Sequence, residues 1–259
     1  MGDPGHNAAV LTVDDLVVRF GGVTALSGVS FAVRPGQVCG LIGPNGAGKT
    51  TLFDCVSRLT RPQQGSITFA GHDLLALPTH RVAALGVART FQHLGLVPSL
   101  SVRENVVLGA QHGSRAGFLA SALRLPLVRA EERALRARAD AVLERLELTA
   151  VATRPAAGLP YGTLKRIELA RALAAEPTLL LLDEPASGLS HGEVDELAGL
   201  IEAVRGDATV VLVEHHMGMV MRLSDTVVVL DFGKVIATGT PAEVREDPAV
   251  LAAYLGTAA

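Results

Sequence analysis

The run Gly43 to Thr51, "GPNGAGKTT", directly after the apolar "VCGLI", restricts the fold of this chain more than any other stretch. It fits the pattern G-x-x-x-x-G-K-[ST], a loop between a strand and a helix that cradles phosphates. Phosphates need several backbone N–H donors at close range, so the loop needs glycines, and the positive end of the following helix adds to them. The cradle is therefore assigned to Gly43, Pro44, Asn45, Gly46, Ala47 and Gly48. Lys49 is expected to reach the β and γ phosphates, Thr50 to offer its hydroxyl to Mg²⁺, and Thr51 to contact an α phosphate.

Strands of the right kind recur along the chain. "TLLLLD", "ATVVLVE" and "TVVVLD" are nearly continuous in apolar residues. Such runs belong to parallel strands covered on both faces, and so to an α/β sheet with crossover helices. The early segments "LTVDDLVVRF" and "VSFAV", punctuated by Gly21-Gly22 and Pro35-Gly36, read instead as an antiparallel portion. From about Gln92 to Gly158 the chain turns rich in Ala, Leu, Arg and Glu, with Leu135, Val142, Leu143 and Leu146 spaced for one helical face. That stretch is expected to be a helical insertion, with a helix from Thr50 after the phosphate loop. The expected organisation is one domain over 1–259: a β-rich part with the phosphate loop at 1–91, a helical part at 92–165, and the rest of the α/β core with C-terminal helices at 166–259.

Composition excludes more than it assigns. With 259 residues, 49% hydrophobic and 19% charged, the chain can bury a sizeable core as a soluble globular protein. A formal net charge of -3 gives no general reason to expect a nucleic-acid partner. Arg124, Arg129, Arg133, Arg136 and Arg138 are interleaved with Glu131, Glu132 and Asp140, which reads as a solvated amphipathic face. Cys39 and Cys55 lack Cys or His companions and read as buried reduced thiols. No apolar run approaches the length of a bilayer span, and "MGDPGHNAAV" resembles neither a secretory signal nor a good lipidation site, so a cytosolic protein is expected.

A phosphate loop needs a second, acidic site to become an enzyme. "TLLLLDEP" places Asp183 at the end of an apolar strand, where its carboxylate can hold Mg²⁺ through water, with Glu184 beside it to orient or deprotonate an attacking water. His215, after "TVVLVE", reads either as a satisfied surface residue or, if close to Glu184, as a group that bonds a γ phosphate and holds that water.

Taken in order, these motifs resemble the ATP-binding subunits of ABC transporters over nearly the whole chain. The resemblance implies an α/β fold with a RecA-like P-loop NTPase core, an antiparallel β subdomain and an α-helical insertion. It implies that Phe20 stacks on adenine, although a core position at a strand end is the other reading of that residue. It makes Gln92, in "ARTFQ", the residue that senses Mg²⁺ and the membrane partner, counted with Glu184 and His215 in the catalytic set. It also selects His215 over His216 as the switch histidine, and places a D-loop at Ser187, Gly188, Leu189 and Ser190.

The same resemblance assigns Leu159, Pro160, Tyr161, Gly162 and Thr163 to the signature loop that meets ATP on a second subunit. The family usually reads Leu-Ser-Gly-Gly-Gln there. Pro160 brings neither hydroxyl nor N–H, so one bond to phosphate worth about 1.5–3 kcal/mol is lost unless something replaces it. The helix expected from the glycine onward, through Leu164, Ile167, Ala170 and Leu173, still favours an anion at its start. The loop is similar to that of one branch, the ATPases of branched-chain amino-acid importers, as are "IELARAL", "VARTFQHLGLVPSLSVRENV" and "DPAVLAAYLG". His216 departs from the aspartate common after the switch histidine, and Ser190 from the usual Asp or Asn, which puts cross-dimer communication in question.

The implied activity is ATP hydrolysis with Mg²⁺ that powers uptake of branched-chain or other hydrophobic amino acids. The implied partners are membrane permeases, a second ABC ATPase in a homo- or heterodimer and, indirectly, a solute-binding protein, with the chain peripheral on the cytoplasmic face of the membrane. Another cargo, by urea or amide import or lipopolysaccharide export, is the first alternative; a soluble ABC protein acting on DNA or ribosomes is the second.

Overall fold

The computed structural model describes residues 9–91, 94–111 and 126–255. Its centre is a sheet built on the apolar runs. β3 (Val38–Ile42) leads through the phosphate loop into α1 (Lys49–Val56). β6 (Val87–Arg89), β7 (Leu179–Asp183), β8 (Thr209–Val213) and β9 (Thr226–Asp231) lie parallel with it, and β10 (Lys234–Gly239) closes one edge antiparallel, in the order β10-β9-β3-β8-β7-β6. The sequence reading names no strand after Asp231. The β9–β10 turn has Phe232 at φ 41° and Gly233 at φ 76°, both positive, as a two-residue turn with right-handed twist requires.

Strand alternation sorts the side chains onto two cores. In β7, Leu180 and Leu182 join one cluster while Leu179 and Leu181 join the other; in β8, Val210 and Leu212 divide from Val211 and Val213 in the same way. Both faces are covered, which is why these strands are apolar throughout. The expectation of a buried parallel sheet is met.

The two faces are covered by different material. On one side lies the antiparallel sheet of β1 (Leu11–Phe20), β2 (Val23–Val33), β4 (Gln64–Phe69) and β5 (His72–Asp73), in the order β2-β1-β4-β5, joined to β6 by α2 (Thr79–Ala84). Its Leu16, Val18, Leu26 and Phe69 pack with Phe53 of α1. On the other side are α3 (Val102–Ala110), α4 (Pro126–Arg145), α5 (Tyr161–Leu173) and α6 (His191–Ala203). Val142, Leu143 and Leu146 of α4 are buried there with Val106 and Ile167, and Leu135 packs against them. The opposite face of α4 is solvated: Arg138 pairs with Glu176 at 2.9 Å and Asp140 with Arg103 at 2.6 Å. Arg124 and the Arg129 side chain lie outside the described residues.

A third cluster, Ile42, Val220, Val227, Val229, Val244 and Val250, sits beneath α7 (Met217–Leu223), α8 (Pro241–Glu246) and α9 (Pro248–Leu255). Two helix starts differ from expectation. α1 begins at Lys49, not Thr50, with Gly48 as its N-cap, and α5 begins at Tyr161 with Pro160 as its N-cap, one residue ahead of the glycine. The first N–H groups of a helix have no partner within it, so a proline loses nothing at that position.

Candidate nucleotide site

The phosphate loop is pressed against the core so closely that two of its glycines have no substitute. At Gly43, φ +150°, a Cβ would stand 2.0 Å from the Leu230 carbonyl oxygen; at Gly48, φ +102°, it would stand 2.6 Å from that of Ala25. Backbone N–H groups thus occupy space that side chains would otherwise fill. Val23, Thr24, Ala25, the run from Asn45 to Thr51, and Glu184 line one cavity. Lys49 Nζ donates to the carbonyls of Gly43 at 2.7 Å and Pro44 at 2.9 Å, which leaves its third N–H for a ligand. Burial pushes the Lys49 ammonium below its ordinary pKa, while Glu184 and Asp183 pull it back up.

The acidic residues sit at the C-terminal end of β7. Asp183 is 1% exposed. Its Oδ2 accepts from Arg89 Nη2 at 2.8 Å, and its backbone N–H donates to Thr90 Oγ1 at 3.1 Å. Its Oδ1 is buried with no hydrogen-bond partner. Burial raises the Asp183 pKa, opposed by the Arg89 hydrogen bond and charge. Glu184, the next residue, takes a left-handed backbone at φ 49°, a strained position for a non-glycine that directs its side chain into the phosphate-loop cavity. His215 Nε2 lies 2.8 Å from Glu184 Oε1. The structure therefore brings His215 to Glu184 and gives it a partner there.

A residue absent from the sequence reading organises this pair. Glu214, buried at the end of β8, accepts from the backbone N–H groups of Ala186 at 2.7 Å, His215 at 2.9 Å and His216 at 3.2 Å. It ties the turn after Glu184 to the turn that presents His215. Its signal was an acid directly after an apolar strand, the same signal that marks Asp183. His216 is the N-cap of α7 and makes no side-chain cap, a bond that an aspartate at that position is suited to make.

The residues assigned to the signature loop and the D-loop adjoin each other. Leu159 is buried in the core, while Pro160 and Tyr161 are exposed, Tyr161 by 43%. A Cβ on Gly188 would meet the Tyr161 ring at 3.0 Å, and one on Gly162 would meet Glu193 Oε1 at 2.5 Å. Glu193 in turn accepts from the Ser190 N–H at 2.9 Å and hydroxyl at 2.7 Å. Ser190 thus does what a capping residue does at the start of α6. Thr163 is half-buried on the first turn of α5, and Ser187 and Leu189 complete the D-loop turn through Ser187 N–H to the Glu184 carbonyl and Leu189 N–H to that of Ala186. None of Leu159 to Thr163 lines the phosphate-loop cavity of its own chain.

Phe20 is 53% exposed, which removes the core reading of that residue. It pairs in register with Val23, which lines the cavity. Gln92 lies outside the described residues. The residue before it is held in place: Glu168 of α5, buried, accepts from the Phe91 N–H at 3.3 Å. Burial raises the Glu168 pKa, and Lys165 and the amides of Phe91 and Gly95 oppose it. Tyr254 of α9 packs against the cluster that contains Ile42, so the C-terminal helix lies beside the start of the phosphate loop.

The donor set suits magnesium. Among the described residues no cluster of three or more His, Cys, Asp or Glu forms a complete metal cage. Magnesium uses few protein oxygens beside substrate phosphates and water, and the orphaned Asp183 Oδ1 and the exposed Thr50 of the cavity wall offer such oxygens.

Comparison with known proteins agrees with this geometry. The family profile described as ABC transporter matches residues 26–187, well over half of the chain. The chain belongs to the ABC transporter ATP-binding family. A second profile, of branched-chain amino acid ATP-binding cassette transporters, matches residues 234–259. The cassette is 41% identical over 251 residues to the high-affinity branched-chain amino acid transport ATP-binding protein BraF of Pseudomonas aeruginosa, covering 96% of this chain and 98% of that one. It is 39% identical, with the same coverage, to LivG of Escherichia coli K12, which bears the same description. Among solved structures, the ADP conformation of MJ1267, an ATP-binding cassette of an ABC transporter, superposes with a TM-score of 0.83 at 29% identity over 96% of this chain and 99% of that one. A nucleotide-free ABC cassette gives 0.82 at 28% identity, over 95% and 99% of the two chains. An ABC ATPase cassette is thus the fold and the enzyme class.

Proposed function

We propose that this ABC ATPase powers import of branched-chain amino acids, working as one of two cassettes beneath membrane permeases. The observation that supports the paired arrangement is the division within one chain. The phosphate-loop cavity has Lys49, Thr50 and Glu184 on its walls, while the loop from Leu159 to Thr163 presents its Pro160 and Tyr161 outward, away from that cavity. A second cassette, turned head to tail, places each outward loop over the other's nucleotide. The cargo is argued from likeness to BraF and LivG over nearly the full chain.

In this reading the loop amides and Lys49 hold the phosphates, Thr51 the α phosphate, and the Phe20 ring packs on the base. Thr50, Gln92 and Asp183 would hold magnesium, which when bound would neutralise charge that develops on the phosphate oxygens. Glu184 takes a proton from the attacking water as the bond from that water to the γ phosphorus forms and the bond to the β–γ bridging oxygen breaks. The His215 imidazole, hydrogen-bonded to Glu184, keeps that carboxylate aimed at the water and bonds the γ phosphate. ATP favours the closed pair and ADP the open one, and that difference in affinity moves the permeases. A cleft beside Phe91, lined also by Leu59 and Leu108 with their apolar side chains exposed, is the surface a permease segment would cover. Among the described residues no helix is long and apolar enough to cross a membrane; in this reading the chain attaches through those partners, on the cytoplasmic face.

Light scattering of the Glu184→Gln protein with and without Mg-ATP tests the pairing: a dimer that forms only with ATP supports it. A monomer that binds ATP but forms no pair, alone or with a second ABC cassette added, overturns it. Uptake of labelled leucine, isoleucine and valine, against urea and short amides, in cells with and without the gene tests the cargo. Loss confined to urea or amides would reassign it.

A further inference from the structure

The guanidinium of Arg89 stands where three functional segments meet. Its Nη1 donates to Asp54 Oδ1 of α1 at 2.7 Å, and its Nη2 to Asp183 Oδ2 at the end of β7 at 2.8 Å. It lies 5.5 Å from the Phe53 ring centre and 5.1 Å from that of Phe91, the residue before Gln92. The side chain is 7% exposed. A cation in this position is enclosed by two carboxylates and two aromatic faces, and it spans the helix of the phosphate loop, the strand of the metal-binding carboxylate and the entry to Gln92.

We infer that Arg89 is a positioning residue for the magnesium-binding carboxylate: by occupying Oδ2 of Asp183 it fixes the plane of that carboxylate and leaves Oδ1 as its one ligating oxygen. The inference rests on the assignment of Asp183 to magnesium. A carboxylate at the end of a strand has free rotation about its last bond, and magnesium tolerates little departure from octahedral placement. Asp183 is held at three points: its chain by β7, its backbone N–H by Thr90 Oγ1, and its Oδ2 by Arg89. The remaining oxygen is the one that has no hydrogen-bond partner. Thr90 follows Arg89 directly, so one short segment supplies both side-chain braces.

The residue type follows from the geometry. Arginine presents a planar fork that serves two carboxylates at once and stacks on rings, whereas the ammonium of lysine is a single point on a flexible stem. Asp54 of α1 fixes the far side of the fork, so the placement of the metal-binding oxygen is tied to that of α1. The brace therefore registers the phosphate site against the metal site. Loss of such outer partners of metal ligands typically reduces metal affinity about 10–100-fold.

The experiment compares ATP affinity with Mg²⁺ and in EDTA, on the hydrolysis-deficient Glu184→Gln protein, and half-saturation by Mg²⁺ of turnover in the protein with Glu184 intact. For Arg89→Met, which keeps bulk and removes the fork, we expect affinity in EDTA to stay within about threefold. The Mg²⁺ needed for half-saturation should rise about 10–100-fold. Arg89→Lys should recover only part of the loss, and it serves as the test if the Met variant does not fold. Asp54→Asn, which loosens the far end of the brace, should give a smaller rise of the same kind. An unchanged Mg²⁺ response in Arg89→Met or Arg89→Lys, whatever the melting temperature, makes Arg89 a packing residue and overturns the inference. Asp183→Asn separates the two claims. If it leaves the Mg²⁺ response intact, the metal assignment of Asp183 fails; if it abolishes the response while the Arg89 variants do not alter it, only the positioning role fails.

Discussion

The phosphate loop and the signature loop differ most in how far each is finished by its own chain. The first is pressed between Leu230 and Ala25, so closely that Gly43 and Gly48 admit no side chain. The second is anchored by Leu159 and otherwise open: Gly158, just ahead of it, has nothing within 4 Å of an added Cβ, and Tyr161 leans on Gly188 with much of its ring exposed. Close packing fits a site whose ligand contacts are backbone amides, which only rigid neighbours can aim. Openness fits a surface whose remaining partner is another molecule. On the proposed reading, one cassette supplies the phosphate loop for one nucleotide and the outward loop for another.

That contrast can be broken by experiment, starting where the effect is largest. Replacing Glu184 by Gln should reduce turnover about 10²–10⁴-fold, the usual worth of a general base, with ATP affinity unchanged. Normal turnover would remove Glu184 from the chemistry. Lys49→Ala should weaken ATP binding by an isolated monomer about 100-fold, since a charge-assisted bond contributes about 1.5–3 kcal/mol. If the loss appeared only in dimers, the phosphate site would not be self-contained.

Two smaller effects sharpen the comparison. Gly48→Ala should destabilise the protein by about 1–3 kcal/mol through overlap with the Ala25 carbonyl, in addition to the cost of its backbone angle. Gly158→Ala, at φ +77° in open space, meets the angular cost alone, about 1 kcal/mol. Thermal unfolding of the two variants gives the ranking directly, and equal losses would contradict the difference in enclosure. Thiol labelling gives the last contrast. Cys39 and Cys55, on either side of the phosphate loop, have their pKa pushed up to about 12, chiefly by burial. Alkylation of these thiols at pH 8 should be negligible over hours. A thiol introduced by Tyr161→Cys should label within minutes, and ATP should protect it in the Glu184→Gln background. Labelling that ignores ATP would mean that the loop faces no second cassette.

The same division explains what was legible in the sequence. The phosphate loop, Asp183, Glu184 and the buried strands were legible because each is a local pattern imposed by one element on its own residues. His215 was legible as a candidate, but its bond to Glu184 joins residues from two different strand ends and needed the fold. Arg89 looked like an ordinary polar residue in a short strand, because its partners Asp54 and Asp183 lie 35 and 94 positions away. Glu214 and Glu168 were missed for the same reason: a buried carboxylate that serves distant backbone amides leaves no spacing to read. Pro160 misled in one detail. The motif suggested a helix from Gly162, whereas proline, preset for a helix entry, starts it one residue earlier.

The Leu230 carbonyl pressed on Gly43, with Tyr254 packed against the cluster that contains Ile42, also bears on how the chain is made. On the ribosome the phosphate loop emerges early, but the strand and the helix that fix its first residue emerge near the end. At about 5–20 residues per second the loop waits roughly 10–40 s for them. ATP meets a finished site only after synthesis of the C-terminal helix, and a nascent cassette stalled short of it holds a loop of the right sequence without the contacts that shape it.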